Sequence, residues 1–183
     1  MDSLRGQLLI AGPTLQDPNF WRTVVLVVEH TASGALGLVL NRPSDTKVVD
    51  AVPQLAELVE LDSGAALLVG GPVAQDSVIV LADFTDPDTA AIIAFDSVGV
   101  LASGTPLLSP PAELRHARVF AGHSGWGPQQ LETELQRGDW ITEPARNSDA
   151  FTEQPADLWA HVLERKGGSY ALVSRMPIDP SLN

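Results

Sequence analysis

The densest apolar stretch of the chain, Thr23 to Glu29 (TVVLVVE), is β-branched and apolar on successive positions, which predicts a central strand covered on both faces. After a turn at Gly34, Ala35 to Leu40 forms a second run, and the short connection His30 to Ser33 predicts antiparallel pairing. That hairpin is expected to end at Asn41-Arg42-Pro43, where proline stops the ladder. Asp50 to Leu61 spaces Val52, Leu55, Ala56, Leu58 and Val59 helically, with Glu57 and Glu60 outward, and predicts a short helix from Val52 or Pro53. Ala65 to Val69, Ser77 to Ala82, Ile92 to Phe95 and Val98 to Leu101 are further predicted strands, separated by Gly-Gly-Pro and Asp-Pro turn signals. Val119 to Ala121 predicts a short strand running into a glycine-rich turn, Gly122-His123-Ser124-Gly125-Trp126-Gly127. Pro128 then opens a helix to about Gln136, ended by Gly138. A last helix, about Pro155 to Arg165, turns Leu158, Trp159 and Val162 inward, stops at Gly167-Gly168 and leads to a closing strand, Tyr170 to Ser174. About seven short strands and three helices without regular βαβ alternation predict an α+β fold, and the absence of linkers and repeats makes residues 1–183 one domain.

Composition narrows the function. With 23 acidic against 11 basic side chains the net charge is -12, which argues against a nucleic-acid binder and against docking on anionic lipid, both of which need clustered Lys and Arg. The absence of cysteine removes disulfides, thiolate nucleophiles, Fe–S clusters and Cys-ligated zinc. Leu8 to Ala11 is far shorter than a signal-peptide core, and the longest apolar run, Val24 to Val28, is strand-sized, so a cytoplasmic protein without a membrane span is expected. Between Asp45 and Glu113 the only cation is Lys47, and these acids lack calcium-loop spacing, so they read as a solvated face.

No catalytic motif is complete. Gly122-His123-Ser124-Gly125-Trp126 resembles the G-x-S-x-G nucleophile elbow but puts Trp126 where a small residue is required. Histidines 30, 116, 123 and 161 show neither H-x-E nor HExxH spacing, so no metal is expected. Gly70-Gly71-Pro72 does not continue as a phosphate loop, and no cofactor is expected. The start of the Pro128 helix favours an anion, a potential that Glu132 and Glu134 fill as structural caps. Trp126, in its glycine-rich setting, is the tryptophan suited to line a cleft, with packing within its loop as the favoured alternative. Arg42 is suited to hold a carboxylate or phosphate bidentately, its structural alternative being a pair with Asp45.

The ordered motifs Gly12-Pro13, Asp17-Pro18-x-Phe20, Glu29-His30, Gly34-Ala35-x-Gly37-Leu38-Val39-Leu40-Asn41-Arg42-Pro43 and Gly70-Gly71-Pro72-Val73 occupy the first half of the chain. Phe120-Ala121-Gly122-x-x-Gly125-Trp126-Gly127-Pro128, Gln130-Leu131-Glu132, Gly138-Asp139-Trp140, Leu158-Trp159 and Met176-Pro177-x-Asp179-Pro180 occupy the second. Together they resemble the YqgE/AlgH family of small, largely uncharacterised bacterial proteins. One departure is Gln129, which stands where the resemblance leads one to expect glycine. The resemblance implies an α+β fold with a bifurcated, mainly antiparallel sheet, part of it curled into a small partly closed barrel, surrounded by helices. It also implies an association with transcriptional control of alginate synthesis. With no helix-turn-helix and an acidic charge, such regulation is expected to run through a protein partner and not through DNA.

Two readings follow. The first is a non-enzymatic binding or regulatory protein that meets a protein partner or small ligand through Glu29, His30, Asn41, Arg42, Gly71, Gly122, Ser124, Trp126 and Gln130. The second is an enzyme of unrecognised type in which Ser124 or His123 acts with Glu29 or His30 across a cleft. Strand edges in so small a sheet need covering, which leaves room for a homodimer.

Overall fold

A computed structural model describes residues 3–61, 66–101 and 114–177. Its strands are β1 (Gln7–Ala11), β2 (Val24–Thr31), β3 (Gly34–Val39), β4 (Pro43–Lys47), β5 (Ala66–Val69), β6 (Val73–Phe84), β7 (Ile92–Phe95), β8 (Val98–Val100), β9 (Leu114–Trp126) and β10 (Trp140–Pro144). The α-helices are α1 (Val48–Ala51), α2 (Gln130–Arg137), α3 (Asn147–Ala150), α4 (Leu158–Lys166) and α5 (Tyr170–Val173), with tighter 3-10 turns at Pro53–Leu61, Pro87–Thr89 and Pro155–Asp157. The sheet runs β10-β1-β2-β3-β9-β6-β8-β7, and every pairing is antiparallel except β5 with β9. This is the expected α+β class.

The double covering of β2 follows from its alternation. Val24, Leu26 and Val28 enter a core closed by Leu158, Trp159, Val162 and Leu163 of α4, while Val25 and Val27 enter a second core with Trp126, Leu131 and Trp140. All five valine and leucine side chains are fully buried, each removing enough apolar area from water to contribute about 1.5–3 kcal/mol. A third core lies on the far lobe, where Val48, Leu55 and Leu58 cover Val80, Ala82, Ala117 and Val119.

The strand that joins the lobes is β9. One edge of it pairs with β6 along most of its length. The other edge is shared: Phe120 and Ala121 pair in parallel with β5, and Ser124 to Trp126 pair antiparallel with β3. The sheet therefore forks at β9, and the fork passes through glycines. A Cβ on Gly71 would lie 2.3 Å from the His123 carbonyl carbon, and one on Gly122, whose φ is +70°, would lie 2.7 Å from the Val73 carbonyl oxygen. Two backbones meet here at a distance that excludes side chains. Among the described residues β10 and β7 end the path and no ladder joins them to each other, so the small barrel implied by the family resemblance finds no closing pair.

Several expectations are corrected. The β2–β3 ladder ends at Val39, ahead of Asn41-Arg42-Pro43 as expected, but Pro43 also opens a strand that was not expected, β4, where as first residue it loses no ladder donor. The helix expected from Val52 or Pro53 does begin at Pro53, but as a 3-10 stretch, and α1 (Val48–Ala51), which was not expected, stops before Pro53, whose ring cannot continue the α-helical hydrogen bonding. Val119–Ala121 is only the middle of 13-residue β9, and the supposed glycine-rich turn is strand, because β3 and β6 satisfy its backbone. Tyr170–Ser174 is helical: Gly167 and Gly168, at φ +77° and +59°, turn the chain back onto α4, where the Lys166 ammonium sits 5.3 Å from the Tyr170 ring. The strands β1 and β10 were not anticipated as a pair; Gln7 lies opposite Pro144. Of the strand predicted over Ala65–Val69, residue 65 lies outside the described residues, as does the C-terminal motif beyond Pro177. No described helix is long and apolar enough to cross a membrane.

Candidate functional site

His30 owes its position to a β-bulge. The β2–β3 register shifts between Val27 and Glu29, so the alternation that buries Val24, Leu26 and Val28 is broken and His30 turns toward α2. There its Nε2 lies 3.0 Å from Oε1 of Glu132. Its Nδ1 accepts the Leu4 backbone N–H at 3.0 Å, and the Ser3 hydroxyl donates to the His30 carbonyl at 3.2 Å. A backbone amide only donates, so Nδ1 carries the lone pair and Nε2–H donates to Glu132. The imidazole is 7% exposed and the carboxylate 21%. They stand in a groove of about 590 Å³ whose other lining side chains are mostly polar, among them Ser3, Thr31, Gln129 and Thr133.

Gln129, the departure from the family pattern, lines the same groove. This residue precedes α2 with φ 59° and ψ 4°, the left-handed conformation that glycine adopts freely. Its carbonyl accepts the Thr133 amide at 3.2 Å and the Thr133 hydroxyl at 2.8 Å, which ties the strained residue into the first turn. Gln129→Gly is expected to stabilise the fold by about 0.5–1 kcal/mol in chemical denaturation; a loss of stability would show that the glutamine side chain holds the loop.

The other sequence-predicted residues do not join His30. Glu29 is exposed at the end of β2. Asn41 is buried and acts on backbone: its Oδ1 accepts Val24 N–H and its Nδ2 donates to the Arg22 carbonyl, each at 2.9 Å. Arg42 does not meet Asp45; it donates to the carbonyls of Trp21 and Asn41, and burial lowers its pKa. With Gly71 and Gln75 it borders a separate cleft of about 220 Å³. Gly71 and Gly122 form the backbone crossing of the fork. Ser124 is fully buried and donates to the Gly70 carbonyl at 3.2 Å, while His123, next along β9, points to the opposite face. Ser124 is thus spent on backbone and His30 on Leu4 and Glu132, and the proposed catalytic pairing is not assembled.

Trp126 packs and does not line a cleft. It is 6% exposed, packed against Phe20 and Trp140, and its Nε1–H donates to Oε2 of Glu134 at 2.8 Å. Trp140 Nε1–H donates to the same oxygen at 2.8 Å. Gln130 completes the arrangement, accepting Gly127 N–H at 3.0 Å and donating to Glu134 Oε1 at 2.9 Å. Glu134 is therefore the polar key of the second core, a role that its place near a helix start did not reveal.

Two further carboxylates are embedded in structure. Burial pushes the Asp83 pKa up, but hydrogen bonds from Ser97, Asn147 and Arg115 outweigh it and the net shift is downward. Asp149 takes Arg165 in two bonds of 2.7 and 2.9 Å, and this pairing raises the Arg165 pKa. Among the described residues no group of three or more acidic or histidine side chains comes together in the manner of metal ligands.

A family model described as DUF179, AlgH-like, matches residues 8–171. The chain belongs to the AlgH-like family. This AlgH-like chain is 40% identical over 192 residues to a UPF0301 protein of Thermobifida fusca, covering 99% of this chain and 96% of that one. A UPF0301 protein of Streptomyces coelicolor is 39% identical, with 100% and 97% covered. The crystal structure of protein DIP2367 from Corynebacterium diphtheriae is similar at TM-score 0.86 and 27% identity, covering 96% of this chain and 93% of that chain. The solution structure of the AlgH protein from Pseudomonas aeruginosa is similar at TM-score 0.71 and 28% identity, with 97% and 96% covered.

Proposed function

We propose that this AlgH-like chain is a non-enzymatic, cytoplasmic binding protein whose ligand site is the His30–Glu132 groove. The observation that supports the reading is a carboxylate, held by one imidazole N–H, on the wall of an open polar groove of about 590 Å³. An ionised carboxylate offers about four acceptor positions, and His30 uses one. The hydroxyls and amides of Ser3, Thr31, Thr133 and Gln129 surround the remainder. Such a wall suits a small ligand rich in hydrogen-bond donors, an amine or a guanidine. Any regulatory action, transcriptional action included, then passes through a protein partner, because a chain of charge -12 repels the phosphates of DNA.

The test is an NMR titration with agmatine at constant ionic strength. Saturable shifts are expected at residues 30–31 and 129–136. Glu132→Gln keeps an acceptor for His30 yet removes the charge, and is expected to weaken agmatine about tenfold. Equal affinity in Glu132→Gln, or shifts confined to other surfaces, would remove the groove as the site.

A further inference from the structure

Around residues 146–154 the structure gathers Arg115, Arg118, Arg146 and Arg165, four of the 11 basic side chains, together with His116 and His161. The segment itself is tied down from several directions. Asn147 donates to Asp83 at 2.8 Å, Arg118 donates to the Thr152 carbonyl, Asp149 is clamped by Arg165, and Phe151 stacks on His116 with ring centroids 5.3 Å apart. A wall so held is ordered before any ligand arrives, which reduces the entropic cost of binding.

Between this wall and α4 lies a groove of about 480 Å³. Arg146, His161 and Arg165 border it, with Phe151 and Leu158 as apolar lining and Asp149 and Glu153 as the acids. Asp149 neutralises Arg165. Arg146 and His161 are exposed, and neither forms an ion pair among the described residues.

We propose that this groove binds a small carboxylate carried on an apolar body. The carboxylate meets the Arg146 guanidinium, with His161 on the opposite side, and the body rests against Phe151 and Leu158. A planar guanidinium takes a carboxylate through two parallel N–H···O bonds, the arrangement that Arg165 already makes with Asp149 in the same groove. The overall negative charge does not prevent this, since charges farther off than about 8–10 Å are largely screened at physiological salt. The groove shares no lining residue with the His30–Glu132 groove, so the two sites stand or fall separately.

Sodium benzoate is the probe, titrated by ¹H–¹⁵N NMR at constant ionic strength. Saturable shifts confined to residues 146–154 and 158–165 are expected. Arg146→Gln, at an exposed position whose backbone bonds to Asp149 persist, is expected to weaken benzoate about tenfold. His161→Gln weakens it by a smaller factor, and Arg175→Gln, on another exposed segment, leaves it unchanged. Benzylamine, which reverses the charge on the same ring, gives no saturable shifts there. Unsaturable or scattered benzoate shifts, unchanged affinity in Arg146→Gln, or an equal response to benzylamine overturns the proposal; inorganic phosphate binding as tightly as benzoate overturns the role of the apolar lining.

Discussion

Replacing Gly71 by alanine lowers the melting temperature by roughly 10 °C, whereas the same replacement at Gly125 leaves it nearly unchanged. The contrast comes from the fork. A Cβ at Gly71 would stand 2.3 Å from the carbonyl carbon and oxygen of His123 and 2.4 Å from the Ser124 amide nitrogen, all of them backbone atoms of β9. Nothing flexible can move aside, so β9 or the β5–β6 connection must shift, and β9 carries the pairings of β3, β5 and β6. The expected loss is about 3–5 kcal/mol, in the range reserved for backbone strain and core disruption. At Gly125, three residues past Gly122 on the same strand, the nearest atom to a Cβ is Val73 Cγ2 at 3.9 Å, an ordinary contact. Thermal unfolding of the two variants side by side decides the matter, and equal melting temperatures would mean that the crossing tolerates separation.

The second large effect is expected at Glu134. Its Oε2 receives both the Trp126 and Trp140 indole N–H groups, and its Oε1 receives Gln130. Glu134→Leu is close in size but removes every acceptor, leaving two indole donors in a part-buried setting without partners. An unsatisfied buried donor costs about 1–3 kcal/mol, so the pair is expected to cost about 2–5 kcal/mol. Glu134→Gln retains an oxygen able to accept both indoles, but it sets its amide against the amide of Gln130, whose own oxygen is engaged by Gly127. It is expected to lose roughly half as much. Denaturant unfolding gives the two values, and the indole N–H resonances report which bonds persist. Unchanged indole shifts in Glu134→Leu would contradict the assignment of the carboxylate as their common acceptor.

Much of the fold was legible because local signals and tertiary demands agree. The apolar run over 23–29 is β2, and its burial on both faces is that of a central strand. Pro128 and Gly138 bracket α2, with Gly138 in the left-handed cap at φ 80°. Leu158, Trp159 and Val162 are buried on α4 as their spacing requires. The failures occur where the two levels part. Gly122, Ser124 and Gly125 read as a turn, yet they are strand, because β3 and β6 satisfy their backbone, and only at Gly122 does close backbone leave no room for a side chain. Gln7–Ala11 and Trp140–Pro144 are five-residue strands that find each other only through the tertiary fold.

The site was less legible. In the sequence His30 is a polar residue at a strand end, but the bulge that turns it and the carboxylate that meets it leave no trace in spacing, since Glu132 is 102 residues away. Asn41, Gly71, Gly122, Ser124, Trp126 and Gln130 are functional-looking residues whose visible work is to hold backbone and indole groups in place.

The placement of β1 bears on how the molecule comes into being. One of its edges pairs with β2, close in sequence, while the other pairs with β10, so that Gln7 waits for Pro144. During synthesis the first strand emerges with an open edge and keeps it until most of the chain has left the ribosome. Contacts so distant in sequence raise the contact order and slow folding, and an unpaired early edge is a natural place for a chaperone or for a second nascent chain to attach.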